Sequence, residues 1–507
     1  MEDDKEINVE ALENNISSKL HCDSPLSAKC CIFRVPQVIR RQNPKAYQPD
    51  VVKIGPFHDR GSKHFQPMEN VKLWYLRNLL LRKNVTLKTL IQGINIIEFE
   101  KHAREFYAEP LDHLNKNDFI EMMILDGLFI IELFRKLWFS EDISINDPIF
   151  NMDCMFQYLC HDLLLLENQL PWFVLNSLYI LTKETVDCSL KKLLLVIFYS
   201  EPQLGLNSNR FIDHNTIFLD TDHFDDDPDH DDKILHILDL IRTSSVFKFK
   251  DDRFQQSFYG PNTQLKIHPT TTLSDVASDI SDSIVNIELE DRVYNNFHPP
   301  SYGLKTQFMH PATTLSEAGV VFRMDSGDRK SIMDIEFEDG VFTIPPLVIG
   351  ELTESLFRNL IAFEQCYHGC SHKITSYVVL MDNLIASQKD MNLFCEKNII
   401  TTNWRSAELD TYQFFNKLYK DTSLKEFLYD GLCYQVNEHY QVAQDKKLQR
   451  MRRELRTTAQ LKRDYLTWNV TSTSLWKVTS LIAASVLLGV TILQTIYAMK
   501  QYYYSLR

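Results

Sequence analysis

Glycine is scarce in this chain, 14 of 507 residues, which argues against glycine-rich phosphate loops and large β-architectures. No GxSxG elbow, HExxH pair, Walker loop, GxGxxG turn or kinase signature set occurs. The spacings that would compel a hydrolase, metalloprotease, nucleotide-binding or kinase mechanism are therefore missing. The opening MEDDKEINVEALENN is acidic and has no apolar h-region, so it reads as a disordered lead and not as a secretory signal. Positive charge is in deficit: 54 lysines and arginines face 68 aspartates and glutamates, a formal net charge of −14. Such a balance does not suit holding a nucleic-acid backbone. The ten cysteines follow no regular framework, and without a secretory signal reduced thiols in a cytosolic setting are the default. Cys154, Cys160, Cys188 and Cys395 stand in apolar helical text, where a free thiol packs as a small hydrophobe.

What is present is 44 % hydrophobic residues, enough for a large core, and one long uncharged run. Val478 to Met499, 22 residues without a charge, lies between Lys477 and Lys500. As a helix it spans about 33 Å, matching a hydrocarbon core of roughly 30 Å. Trp476 precedes it and Tyr497, Tyr502, Tyr503 and Tyr504 end or follow it, placing aromatic rings at headgroup depth. The expectation is a transmembrane helix over 476–499 with a short tail, 500–507. Lys446, Lys447, Arg450, Arg452, Arg453, Arg456, Lys462 and Arg463 come before the run, against Lys500 and Arg507 after it. The positive-inside rule then keeps the N-terminal bulk cytosolic, most simply at the plasma membrane. Of three sequons, Asn15, Asn84 and Asn469, a glycan on Asn84 would reverse that orientation. Ser485 and Gly489 are four apart, the small-xxx-small spacing that lets helices approach, and Gln494 could bond across the same face, so a homodimer through the anchor is open.

Upstream, residues 1–28 read as the lead and 29–219 as an N-terminal helical part. In the latter, the text from Cys30 opens as a short apolar strand or turn, and a β-branched run, Val51, Val52 and Ile54, is stopped by Gly55-Pro56. Phe119 to Phe139 reads as a central buried helix, apolar on nearly all sides, that also carries Glu121, Asp126, Glu132, Arg135 and Lys136. Tyr158 to Leu181 reads as two helices meeting at a break near Glu167-Asn168-Gln169, before Pro171. Residues 220–309 read as a variable insertion and a candidate for partner specificity. It holds the acidic tract TDHFDDDPDHDDK (221–233) and the first copy of an internal repeat, IHPTTTLSD (267–275) against MHPATTLSE (309–317). Residues 310–430 read as a C-terminal helical part with a β-hairpin near 333–345, turning at Asp339-Gly340; Arg292 replaces that glycine in the first copy. Residues 431–475, which contain no glycine after Gly431 and no proline, read as a basic helical stalk.

Seven stretches, in order over nearly the whole chain, resemble the plant family called domain of unknown function 247. They are CCIFRVPQVIRRQNPKAYQPDVVKIGPFH (30–58), FIEMMILDGLFIIELF (119–134), DLLLLENQLPWFVL (162–175), HPATTLSEAGVVF (310–322), the run from Ser331 to Cys366, ITSYVVLMDNLIASQKD (374–390) and WKVTSLIAASVLLGVTILQTIY (476–497). The resemblance implies a mostly helical plant protein with a C-terminal membrane anchor and no established chemistry. Some relatives in grasses are associated with pollen self-incompatibility. It supplies no catalytic residues.

Three clusters remain as candidates for chemistry. Cys366, His368, Cys370 and His372 are zinc-ligand types within seven residues, but a single short segment would have to wrap the ion, and Gly369 is placed as a helix stop. A helix C-terminal turn is the favoured reading, and no cofactor is expected. His161-Asp162 and Glu167-Asn168-Gln169 are either a buried acid site or groups that satisfy backbone freed at the Pro171 break, the second being favoured. Arg34, Arg40, Arg41 and Lys45 are either a lipid-facing patch or a face paired with carboxylates, again with the second favoured. The expected architecture is mainly α: a large helical domain with minor β-hairpin elements, then the stalk, then one transmembrane helix. The expected function is non-enzymatic recognition or signalling, with an unidentified protein partner besides the lipid bilayer. The alternatives are a membrane-tethered enzyme with a dispersed site, or a structural tail-anchored protein.

Overall fold

Apolar side chains on every side of residues 119–134 predict a helix surrounded by others, and the computed structural model places it so. The structure describes residues 9–20, 26–59, 61–139, 143–152, 154–184, 188–201, 204, 234–246, 309–325, 331–402 and 411–505. The chain divides into two units, Met1–Asn437 and Glu438–Arg507. The helices of its first half are α1 (Val9–Ser17), α2 (Gln37–Arg40), α3 (Gln66–Lys83), α4 (Leu87–Gln92), α5 (Ile96–Arg104), α6 (Lys116–Trp138), α7 (Met155–Leu163), α8 (Trp172–Thr182) and α9 (Leu190–Ser200). There follow α10 (Ile237–Val246), α11 (Ala312–Glu317), α12 (Thr353–Cys366), α13 (Lys373–Leu384), α14 (Gln388–Glu396), α15 (Phe414–Leu418) and α16 (Asp430–Ser505). The fold is mainly helical.

α6 starts at Asn115, whose side chain accepts from the amide of Asp118, and it is buried continuously from Met122 to Lys136. It packs against α3, α8 and α9. Gly127 is where α8 comes closest: a Cβ there would lie 2.5 Å from Leu178 Cδ1. The buried charged residues of α6 each meet an opposite charge, whereas Glu121 is exposed. Asp126 takes Lys72 at 2.8 Å, Lys136 reaches Asp147 at 2.6 Å, and Glu132 pairs with Arg82. Arg135 stands 3.9 Å from Glu184. A second layer groups α12, α13 and α15 with α10. The halves are joined by side chains of α12: Ser355 and Asn359 both donate to the Ala46 carbonyl, at 2.9 and 2.8 Å, and Asn359 Oδ1 accepts from Leu166 N.

The hairpin stands where the sequence places it. β2 (Glu336–Glu338) and β3 (Val341–Ile344) pair antiparallel, and Asp339 (φ 48°) and Gly340 (φ 81°) both take the left-handed backbone that a type I′ turn requires. β1 (Val321–Met324) adds to β3 in parallel, and β4 (Leu347–Ile349) pairs in parallel with β5 (Ile400–Thr402). These two parallel contacts were not foreseen, since strands of three or four residues carry too short a pattern.

Three expectations change. Residues 9–17 form α1 where a disordered lead was expected; Leu12 and Ile16 fall on one face, and Glu10 suits the helix N-terminus. The 220–309 segment is not an insertion throughout. Its residues 237–246 form α10, with Ile237, Leu238, Leu240 and Ile241 buried in the core, because ILHILDLI follows the acidic tract with enough apolar surface to require cover. The acidic tract and the first repeat copy lie outside the described residues. Val51 to Ile54 is extended but joins no ladder. Among the suggested core thiols only Cys160 is buried, while Cys154 and Cys395 are exposed and Cys188 is half-buried.

His236, just before α10, is fully buried with its ring edge-on to Phe363 at 4.7 Å, and its Nδ1 accepts from Asp239 N. Burial lowers its pKa from 6.5 to about 4, Asp239 opposing and Arg242 adding to the shift. As pH falls, the unfolded chain takes the proton first. The stability held by neutral His236 is thus complete above pH 6.5 and lost progressively down to about 4. The loss is on the order of 3 kcal/mol at ~1.4 kcal/mol per pH unit. Urea titrations across that window should show a shallower pH slope for His236→Gln than for the parent; equal slopes would assign the proton uptake elsewhere.

The second unit is the remainder of α16. Neither glycine nor proline occurs between Gly431 and Gly489, and no helix breaker interrupts it. Cys433 and Val436, at its start, are still buried in the first unit, so the exposed stalk begins a few residues later than 431.

Candidate functional site

The LENQLP segment between α7 and α8 sits where the N-terminal stretch 35–55 crosses the helical core. Asp162 accepts from the amides of Asp50, Val51 and Val52 at 2.8, 2.7 and 2.8 Å. Asn168 Oδ1 accepts from Ile54 N, and its Nδ2 donates to the carbonyls of Val52 and Asp162. The extended run 51–54 thus exchanges a β-ladder for side-chain acceptors offered by helix ends. Gln169 donates to the carbonyls of Leu163 and Leu165 and accepts from Leu238 N. Glu167 accepts from Val35 N at 2.6 Å and pairs with Arg40. Asn168 and Gln169 therefore do satisfy backbone released at the Pro171 break, as expected. Asp162 and Glu167 instead tie down the N-terminal segment, a long-range role that spacing could not reveal. Gly55 (φ 71°) completes the crossing, because a Cβ there would stand 2.7 Å from the Gln169 carbonyl.

His161 Nδ1 lies 2.9 Å from Asp162 Oδ1 and 3.6 Å from Asp50 Oδ2. Among the described residues these are the three possible metal ligands whose atoms fall within 4.8 Å of one another. Asp162's two oxygens are already occupied by three amides, so the geometry is that of a backbone clamp.

The segment Cys366 to His372 follows α12 as a turn. Tyr367 N bonds the Phe363 carbonyl at 2.8 Å, and Cys370 Sγ bonds the Tyr367 carbonyl. Burial pushes the thiols of Cys366 and Cys370 up to about 12. His372 precedes α13, whose amides at Ile374 and Thr375 donate to Glu364 at 2.8 and 3.0 Å. Burial raises the Glu364 pKa while these bonds oppose the shift. His368 stands in the turn, with its ring against Tyr367. The segment links two helices and does not gather its four polar side chains at a point.

The arginine patch is largely paired: Arg34 with Glu109 at 2.8 Å and Glu167 at 3.7 Å, Arg40 with Glu167, and Arg41 with Asp421 at 3.0 Å.

An open groove of about 660 Å³ runs between α5 and α8. Phe173 forms its floor, with His102 tilted over it at 4.4 Å and Phe99 and Phe106 at 5.9 and 5.4 Å. Lys29 crosses the rim to Glu105 at 3.0 Å, and this hydrogen bond holds the Glu105 carboxyl below its usual range. Ile180 and Leu181, 57 % and 40 % exposed, extend the apolar surface outward. An aromatic floor with a charged rim suits a protein segment. Its residues come from three stretches far apart in the chain, so no motif announced them.

In the second unit, Ser474–Tyr502 is a 29-residue helical stretch whose apolar 18-residue window has a mean hydropathy of 2.0 and no buried part, long and apolar enough to cross a membrane. Trp476 and Tyr497, 78 % and 71 % exposed, lie near its ends. Lys477, Ser485, Gly489, Gln494 and Lys500 all belong to the same exposed helix.

A family model described as plant protein of unknown function, domain of unknown function 247, matches residues 32–490. The UPF0481 protein At3g47200 of Arabidopsis thaliana is 30 % identical over 396 residues, covering 77 % of this chain and 73 % of that protein. A second UPF0481 protein of the same plant, At3g02645, is 22 % identical over 445 residues, 81 % of this chain and 82 % of its own. No solved structure matches. The clamp, the hairpin and the apolar helix all lie within or across the matched span, and the chain belongs to the plant family domain of unknown function 247.

Proposed function

We propose that this chain is a membrane-tethered recognition protein. α16 crosses a bilayer at Ser474–Tyr502, the first unit faces the cytosol at the plasma membrane, and it binds another protein without catalysing a reaction. The observation that carries this reading is the fully exposed apolar helix, since so much uncovered hydrocarbon surface needs lipid or protein to cover it. Lys462 and Arg463, the cations of the basic stretch nearest the span, support the orientation. The groove over Phe173 supports recognition through the first unit. Ser485 and Gly489 offer a close-approach face for a second copy.

Alkaline carbonate washing of plant membranes should leave the full-length chain in the pellet, whereas a chain lacking 474–507 should appear in the supernatant. Release of the intact chain would sink the tether. Tags at each end, read by protease access and by any glycan on Asn84, fix the orientation. Proximity labelling from the anchored protein, repeated with Phe173→Glu, should lose a defined set of neighbours. An unchanged set would remove the groove from the proposal.

A further inference from the structure

Between Lys446 and Arg463 the second unit carries eight cations and one carboxylate, Glu454, a local net charge of +7 in a chain whose total is −14. All of these side chains are exposed, and among the described residues none of the eight cations forms an ion pair. A solvated helix of mixed sign would set acids and bases at i, i+4. This one has almost no acids with which to do so. Leu448, Met451, Leu455 and Ala459 recur at i, i+3, i+7 and i+11, which places them on one face. Leu448, Met451 and Leu455 are 44 %, 46 % and 70 % exposed. A narrow apolar stripe set among cations is a helix built to lie in an apolar groove with an acidic rim.

We propose that residues 446–463 dock into an acidic protein that opens a methionine-lined apolar groove on binding calcium, a sensor of the EF-hand class. Two other occupants fit less well. In a parallel pair of this helix with Leu448 and Leu455 at the seam, Lys447 of one copy would face Arg452 of the other, and Lys462 would enter the seam. Anionic lipid is too far away: Arg463 and Lys446 stand 14 and 31 residues before Lys477, about 21 and 46 Å along a helix. Surface potentials decay over about 8 Å. This exclusion of lipid rests on the upright span proposed above; the docking itself does not.

The test uses the full chain in nanodiscs of phosphatidylcholine and calmodulin as the probe. Calcium-loaded calmodulin should be retained on the discs and released by a chelator. Leu448→Glu with Leu455→Glu should weaken binding about a hundredfold, taking roughly tenfold for each lost anchor. Arg452→Glu with Arg453→Glu should weaken it and flatten its salt dependence. Every altered side chain is exposed, so helicity and disc occupancy should not change. No retention at about 10 μM probe, retention indifferent to chelator, or full affinity after loss of the anchors overturns the proposal. So does protease protection of 446–463 conferred by phosphatidylserine discs without probe, which assigns the face to lipid. Stalk cross-linking between two copies that persists in Ser485→Leu with Gly489→Leu and blocks the probe also overturns it. A chain that fails to enter any disc counts against the span instead, and the soluble chain would then be tested with the same probe.

Discussion

Asp126→Ala is expected to destabilise the first unit by about 3–5 kcal/mol, the usual penalty for leaving a buried charge without its partner. Lys72 and Asp126 are both fully buried, 2.8 Å apart. Asp126 also accepts from Gly55 N at 2.9 Å, so one carboxylate joins α3, α6 and the turn that brings the N-terminal segment into the core. Lys72 keeps the Lys53 carbonyl and Glu69, at 2.6 and 2.7 Å, after the change. Glu69 is partly exposed and cannot fully offset the loss. Replacing the pair together, Lys72→Met with Asp126→Leu, should recover much of the stability, because neither charge is then stranded. Urea midpoints of the three proteins decide the matter. A single mutant within about 1 kcal/mol of the parent would mean that water reaches Lys72.

Asp162→Ala should be nearly as damaging, through backbone amides instead of a charge. Three consecutive amides lose their acceptor, each worth about 1–3 kcal/mol where water cannot replace it. Val52 is fully buried, while Asp50 and Val51 lie nearer the surface, so we expect a total of about 3 kcal/mol or more. Asp162→Asn retains one acceptor oxygen and should fall between the two. Hydrogen exchange gives the sharper readout. Protection should collapse at Val51 and Val52 but persist at Ile54, whose amide is held by Asn168 at 2.6 Å. Uniform loss across 50–54 would show that the clamp works as one unit and not amide by amide.

These two carboxylates mark the limit of what the linear text reveals. That α6 would be central was legible from its apolar coverage, and the hairpin from Asp339-Gly340 between alternating residues. The break before Pro171 was equally legible, since proline lacks the amide a continuing helix needs. Each of those signals is local. The partners of Asp126, Asp162 and Glu167 lie 71, 112 and 132 residues away along the chain. Nothing in the spacing of LENQLP says that its acids serve amides near Val35 and Val52. The β-branched residues of 51–54 favour extended backbone, but they do not say whether a side chain or a neighbouring strand accepts the amide hydrogen bonds. The groove was illegible because Lys29, His102 and Phe173 share no local pattern.

By itself the sequence determined the helical class, the family, the hairpin turn and the apolar, charge-free helix that follows a basic stretch. Those depend on periodicity, turn chemistry and the length of an uncharged run, all properties of neighbouring residues. Only the tertiary structure decided that 237–246 belongs to the core, that the arginine patch is paired, that Cys366 to His372 is a connecting turn, and that an aromatic groove opens between α5 and α8. Those depend on which distant segments share the same space, because burial and ion pairing are set by neighbours in three dimensions and not along the chain.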